Sequence, residues 1–87
     1  MPIVHIPSLM RDLTGGQSSV KLSAQTLGQL IDVLDEVYPG VKERLCEAGQ
    51  LKKGLIALID DQEAKLCMDQ PIFVHSEVRF LPVVSGG

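Results

Sequence analysis

Apolar residues recur at helical spacing between positions 27 and 38, with acidic residues between them. The apolar positions, three or four residues apart, are Leu27, Leu30, Ile31, Leu34 and Tyr38. Thr26 and Gln29 have the spacing of a capping box, which predicts that the helix begins at Thr26. Pro39-Gly40 ends this helix, and a shorter helical segment is predicted from Val41 to Cys46.

Two short segments before this helix are rich in β-branched residues. They are Ile3-Val4-His5-Ile6, which stops at Pro7, and Val20-Lys21-Leu22, which follows the turn signal Thr14-Gly15-Gly16. This pattern predicts two strands joined by a long hairpin loop.

Three further strands are predicted after the helices. The continuous apolar run from Leu55 to Ile59 is too short for a helix and indicates a buried central strand. A short return strand is predicted from Lys65 to Met68. The last segment, from Glu77 to Val83, alternates, so Val78 and Phe80 are predicted on one face and Leu81 and Val83 on the other.

This order of elements predicts an α+β fold, a ubiquitin-like β-grasp with a mixed sheet of four to five strands and one main helix packed across it. A chain of 87 residues has enough apolar surface for one core. We therefore predict a single domain over residues 1–87, with a flexible C-terminal tail at residues 82–87.

The charge balance excludes some classes of partner. Eight basic and eleven acidic side chains give a net charge of −3. Binding to nucleic acid requires the opposite, an excess of Lys and Arg that neutralises phosphates. The sequence has no apolar run of about 20 residues and no signal-peptide pattern at its start, so we predict no membrane span and a cytoplasmic location.

The Cys, His and acidic residues form no pattern typical of a catalytic or metal site. Cys46 and Cys67 form no CxxC motif, and His5 and His75 are isolated in the sequence. The acidic residues at positions 60, 61 and 63 are typical of a solvated turn rather than a metal site. We therefore predict no catalytic residue, no metal site and no cofactor bound by the chain itself.

The sequence given ends in Gly86-Gly87, a pair that glycine frequency alone would place there about one time in two hundred. The segment from Glu77 to Gly87 resembles the last strand and tail of the ThiS/MoaD family of ubiquitin-like sulfur carriers. Other segments are similar to its CysO-like branch, the type that serves cysteine biosynthesis. These segments are Ile6-Pro7, Leu13-Thr14-Gly15-Gly16-Gln17, Tyr38-Pro39-Gly40 and Glu43-Arg44-Leu45.

Two loop segments depart from the family pattern. Asp60-Asp61-Gln62-Glu63 stands where such proteins commonly have a turn with Asn, and His75-Ser76 replaces the usual Gly-Asp before the last strand.

The resemblance implies a role for the C-terminal carboxylate. An E1-like enzyme would adenylate Gly87 with ATP, and a sulfur donor would convert it to a thiocarboxylate. The preceding residues, Pro82, Val83, Val84, Ser85 and Gly86, would enter the partner's active site. The sulfur would pass to an enzyme, such as a PLP-dependent sulfhydrylase, that makes cysteine or another sulfur metabolite. The resemblance favours these pathways over the synthesis of molybdopterin or thiamin thiazole.

The resemblance also bears on further partners and on rival functions. A zinc metalloprotease of the JAMM type would serve where residues after Gly-Gly must be removed. Leu81 and Val83 are predicted to dock on the partner enzyme. Two alternatives stay open: a protein modifier that forms isopeptide bonds through Gly87, and a β-grasp interaction subunit with an inert tail.

Overall fold

The computed structural model describes residues 1–82. Its helices are α1 (Leu27–Val37) and α2 (Val41–Leu45), and short 3-10 helices cover Ser8–Met10 and Cys67–Asp69. Its strands are β1 (Ile3–His5), β2 (Ser19–Lys21), β3 (Cys46–Glu47), β4 (Gln50–Leu51), β5 (Leu55–Ile59), β6 (Gln62–Glu63) and β7 (Glu77–Pro82).

Within residues 1–82, five strands form one mixed sheet in the order β2-β1-β7-β5-β6. Only the pairing of β1 with β7 is parallel, and the other pairs in this sheet are antiparallel. Strands β3 and β4 form a separate small hairpin. The mixed sheet and its main helix, α1, confirm the predicted β-grasp arrangement.

The core lies between α1 and the inner face of the sheet. The apolar stripe of α1 is buried, as its spacing predicted, and the strands contribute side chains that alternate along their length. The most deeply buried apolar residues are Val4, Leu27, Leu30, Ile31, Leu34, Val41, Leu45 and Val78.

The start of α1 follows its sequence signal. The Thr26 side chain accepts a hydrogen bond of 3.1 Å from the Gln29 backbone N–H. In a capping box the Gln29 side chain would accept a hydrogen bond from the N–H of Thr26. Here it accepts one from the N–H of Gln25, the residue before. Helix α1 ends at Val37, and Gly40 turns the chain into α2 with φ of 103°, a backbone angle that favours glycine.

Replacing Thr26 with alanine is expected to lower the free energy of unfolding by about 1 kcal/mol, because the Gln29 N–H then loses its acceptor. Thr26→Ser is the matched control, since it keeps the hydroxyl and should retain most of the stability. Urea denaturation measures both. Equal destabilisation by the two variants would show that the cap does not contribute.

The strand predictions at residues 55–68 were partly wrong. Strand β7, not β5, is central in the sheet. The return strand is Gln62–Glu63, because Asp60 and Asp61 both take positive φ and form a two-residue turn that pairs Gln62 with Ile59. The turn therefore returns the chain earlier than predicted, and Cys67–Asp69 forms a 3-10 helix instead of a strand.

Candidate functional site

The C-terminal end of β7 brings the chain to the candidate site. Pro82 is the last residue of this strand and lies opposite Leu55. The sequence assigned Pro82 to a flexible tail, whereas the structure places it in the sheet. The remaining predicted tail residues lie outside the described residues: Val83, Val84, Ser85, Gly86 and Gly87.

The two faces of β7 divide as the alternation predicted. Val78 and Phe80 are buried against the core, whereas Leu81 lies on the outer face with 39% of its surface exposed. Its cross-strand neighbour is Ile56, which is half-buried. Val83, the other predicted docking residue, lies outside the described residues.

Strand β5 contributes to the same outer face, which the sequence did not reveal. Ile56 and Leu58 point outward and are half-buried, while Ala57 and Ile59 pack in the core. The continuous apolar run suggested burial on both faces, but helix α1 covers only one. Ile56, Leu58 and Leu81 therefore form an apolar surface beside the end of β7, called here the outer apolar patch.

Charged groups adjoin the outer apolar patch. His5 Nε2 lies 2.9 Å from Glu77 Oε1, and Arg79 lies 3.6 Å from both Glu77 and Asp61. The parallel pairing of β1 with β7 brings these residues together by placing His5 opposite Arg79. Sequence reasoning missed this cluster because His5 and Arg79 are far apart in the chain and their register is not visible in it.

The two departures from the family pattern meet in space at the start of β7. Asp60 Oδ1 accepts a hydrogen bond of 2.9 Å from the Glu77 N–H, and the Asp60 N–H donates to the Glu77 carbonyl over 2.9 Å. Ser76 is buried, and its Oγ accepts from the Phe73 N–H at 3.0 Å. Asp60 and Ser76 thus satisfy backbone groups at the end of the sheet away from the tail.

The remaining candidate groups have ordinary surroundings. Within residues 1–82, Cys46 and Cys67 are both free thiols, and burial raises the pKa of Cys46, which disfavours its reactive thiolate. Within the same range, His, Cys, Asp and Glu side chains form no group of three or more arranged to hold a metal ion. His75 is exposed.

Helices long and apolar enough to span a bilayer are absent from the part of the chain that the structure describes.

Comparison with known proteins identifies the class to which this fold and tail belong. The profile of the ThiS family matches residues 4–87, so the chain belongs to the ThiS family. The sulfur carrier protein CysO of Mycobacterium tuberculosis is 35% identical over 97% of this chain and 96% of the relative.

Two solved structures are similar to this chain along its length. The crystal structure of M. tuberculosis CysO gives a TM-score of 0.91 at 32% identity and covers 97% of this chain and 100% of that chain. The crystal structure of the Amycolatopsis orientalis BexX/CysO complex gives a TM-score of 0.91 at 26% identity, with complete coverage of both chains.

Proposed function

We propose that this protein is a sulfur carrier and that the α-carboxyl group of Gly87 carries the sulfur. The observation that carries the proposal is the extent of the family match, which runs from residue 4 through residue 87 and therefore includes the diglycine. The 35% identity to a sulfur carrier protein over 97% of the chain supports it.

The chemistry requires activation of Gly87 by another protein. An ionised carboxylate is a poor electrophile, so a carboxylate oxygen first attacks the α-phosphorus of ATP and pyrophosphate leaves. A sulfur nucleophile then attacks the carbonyl carbon of the acyl adenylate, and AMP leaves. The resulting thiocarboxylate passes its sulfur to an acceptor enzyme.

The position of β7 and the residue types after it suit this role. Five residues follow Pro82, and in extended form they span at most about 17 Å. Gly86 and Gly87 have no Cβ atoms, so the end of the chain has a narrow cross-section for entry into an enclosed active site. The reacting carbonyl can then approach a nucleotide without steric conflict.

The partners follow from this chemistry. We propose an E1-like adenylating enzyme that uses ATP, and a sulfur-accepting enzyme of cysteine or another sulfur metabolite, with a PLP-dependent sulfhydrylase as the preferred type. A zinc metalloprotease of the JAMM type is proposed for any form with residues after Gly87. The carrier acts as a co-substrate of these enzymes and not as a catalyst, and we place it in the cytoplasm.

The outer apolar patch is the proposed docking surface. Leu81 is its residue on β7, and Val83 lies two positions further along the sequence. Leu81→Glu is expected to weaken the complex with the activating enzyme by tenfold or more, because it would bury a charge in an apolar contact. Isothermal titration calorimetry with the purified partner measures the affinity.

Val37→Glu is the matched control for this substitution. Val37 is 52% exposed at the end of α1, on the other layer of the domain, so a charge there should leave the affinity unchanged. Equal affinities of the Leu81→Glu and Val37→Glu variants for the partner would show that the outer apolar patch is not part of the interface.

Sulfur loading tests the proposed function directly. The protein incubated with a cognate activating enzyme, ATP and a sulfide source should gain the mass of one sulfur in place of one oxygen, confined to the C-terminal peptide. Intact-mass analysis of cell extracts separates a carrier from a modifier, because a modifier yields conjugates linked to lysines of other proteins. Failure to form an acyl adenylate with the cognate enzyme would contradict both roles.

A further inference from the structure

Basic side chains lie at the end of the sheet from which the tail continues. Strands β5 and β7 are antiparallel, so Leu55 at the start of β5 lies opposite Pro82 at the end of β7. Lys52 and Lys53 precede β5 in the chain and line a surface groove with Leu55. Arg44 of α2 lines a second groove, which it shares with Leu55 and Pro82. Together, Arg44, Lys52 and Lys53 form what is called here the cationic rim.

The two lysines of the cationic rim are not paired with carboxylates in the described part of the chain. Arg44 Nη2 lies 3.4 Å from Asp12 Oδ2, so its charge is partly offset. Lys53 is exposed and Lys52 is half-buried, and neither takes part in an ion pair with a described residue. Glu63 lines the same groove as the lysines but lies opposite the other half of β5. The lysines are therefore available to pair with groups of another molecule.

The other end of the sheet carries mainly acidic side chains. Strand β7 begins there at Glu77, and the turn between β5 and β6 consists of Asp60 and Asp61. Arg79 offsets part of this charge, since it lies 3.6 Å from both Glu77 and Asp61. The length of β7 separates the two ends by about 17 Å, roughly twice the distance over which physiological salt screens exposed charges. A partner surface at one end therefore interacts mainly with the charges of that end.

We propose that the cationic rim pairs with acidic side chains around the channel entrance of the activating enzyme. This inference rests on the proposed function, in which that enzyme encloses the residues after Pro82. Because the chain continues from Pro82 beside Leu55, the surface around the entrance lies against the cationic rim when the tail is inside. Carboxylates of the enzyme would then offset the charges of Lys52 and Lys53.

The distribution of charge would also orient the encounter. An acidic entrance attracts the end of the domain with the cationic rim and repels the end with Asp60 and Asp61. The net charge of −3 gives no such preference, so the orientation depends on where the charges lie. Ile56, a residue of the outer apolar patch, lines the same groove as Lys52 and Lys53. The cationic rim is therefore continuous with the proposed docking surface.

Reversal of one charge in the cationic rim tests the proposal. Lys53→Glu is expected to lower the association rate constant with the cognate activating enzyme by about tenfold at low ionic strength, because like charges would then face each other. The difference from the parent should shrink as salt is added, because salt screens exposed charges. Stopped-flow measurement of association at several salt concentrations gives both quantities. Lys53 is exposed, so the substitution should leave the fold intact.

Lys21→Glu is the matched control for this substitution. Lys21 is exposed, and its register with Ile3, which also pairs with Glu77, places it at the acidic end of the sheet. Both substitutions make the net charge, −3 in the parent, more negative by two. Lys21→Glu should nevertheless keep the association rate constant within about twofold of the parent, because its charge is far from the entrance.

The outcomes separate this inference from the proposed function. Equal losses in Lys53→Glu and Lys21→Glu would overturn the role of the cationic rim, because net charge alone would then explain them. Faster association of Lys53→Glu would also overturn it, since the entrance would then be basic. A parent chain that forms the acyl adenylate while Lys53→Glu associates as fast as the parent would contradict the cationic rim alone. A parent chain that forms no acyl adenylate would contradict the proposed function and the role of the rim with it.

Discussion

Deletion of Gly87 is expected to abolish sulfur loading of the chain, with at least about a hundredfold loss, and to leave its stability unchanged. The new terminal carboxylate would belong to Gly86 and would fall one residue, about 3.5 Å, short of the nucleotide in the activating enzyme. A displacement of even about 1 Å can reduce a rate by about a hundredfold. Mass spectrometry of the C-terminal peptide after reaction with ATP and sulfide measures the loss.

The stability of the deletion variant is the first control. Among residues 1–82 the buried core ends at Phe80, so removal of Gly87 should change the free energy of unfolding by less than about 0.5 kcal/mol. Ser85→Ala is a second control, since it keeps the length of the tail and adds no bulk, and it should load sulfur normally. A shortened protein that still acquired sulfur at its terminus would contradict the proposed site.

Gly86→Val separates the shape of the tail from its length. The variant keeps Gly87 and its carboxylate but adds a β-branched side chain that widens the tail and restricts its backbone angles. Loading should fall as far as in the deletion variant if the partner's channel is narrow. Normal loading would mean that the need for glycine is confined to position 87.

The sequence predicted those elements whose signals are local. The apolar stripe of α1 and the cap at Thr26 depend on residues within one or two helical turns of each other, and the structure confirmed both. The alternation of β7 likewise placed Phe80 in the core and Leu81 outside. In each case the pattern is set by the geometry of a single helix or strand.

Features that depend on pairing between distant segments could not be predicted from the sequence. The apolar run of β5 gave no indication that only one of its faces would be covered, because the covering helix is a separate element. The contact of His5 with Glu77 joins residues 72 positions apart through a parallel register. The return strand was misplaced because Asp60-Asp61 forms a tighter turn than its residue types suggest.

The sequence and the structure contribute different parts of the candidate site. Gly87 is predicted from the sequence alone, and it lies outside the described residues, so it stays a prediction. What the structure adds is the surface at the end of β7, where Leu81 lies in the outer apolar patch on one face and Phe80 is buried in the core on the other.

Leu34→Ala is expected to destabilise the domain by about 2–5 kcal/mol, the largest effect on folding that we anticipate from a single truncation. Leu34 is fully buried in the middle of the α1 stripe, where it packs in the core between the helix and the sheet. Domains of this size are stable by about 5–15 kcal/mol, so the variant should retain a folded state with a much lower urea midpoint. The midpoint temperature of thermal unfolding should fall by about 4–8 °C for each kcal/mol of stability lost.

The matched control for Leu34→Ala lies one turn further along the same helix. Val37 is 52% exposed, so Val37→Ala removes apolar atoms without leaving a cavity and should change the free energy of unfolding by less than about 0.5 kcal/mol. Leucine and valine differ in helix propensity by less than about 0.7 kcal/mol, which is smaller than the expected cost of the cavity, so the difference between the two variants reports mainly burial. A Leu34→Ala variant within about 1 kcal/mol of the parent would contradict the position of α1 on the sheet, since truncation of a fully buried leucine leaves a cavity that costs about 2–5 kcal/mol.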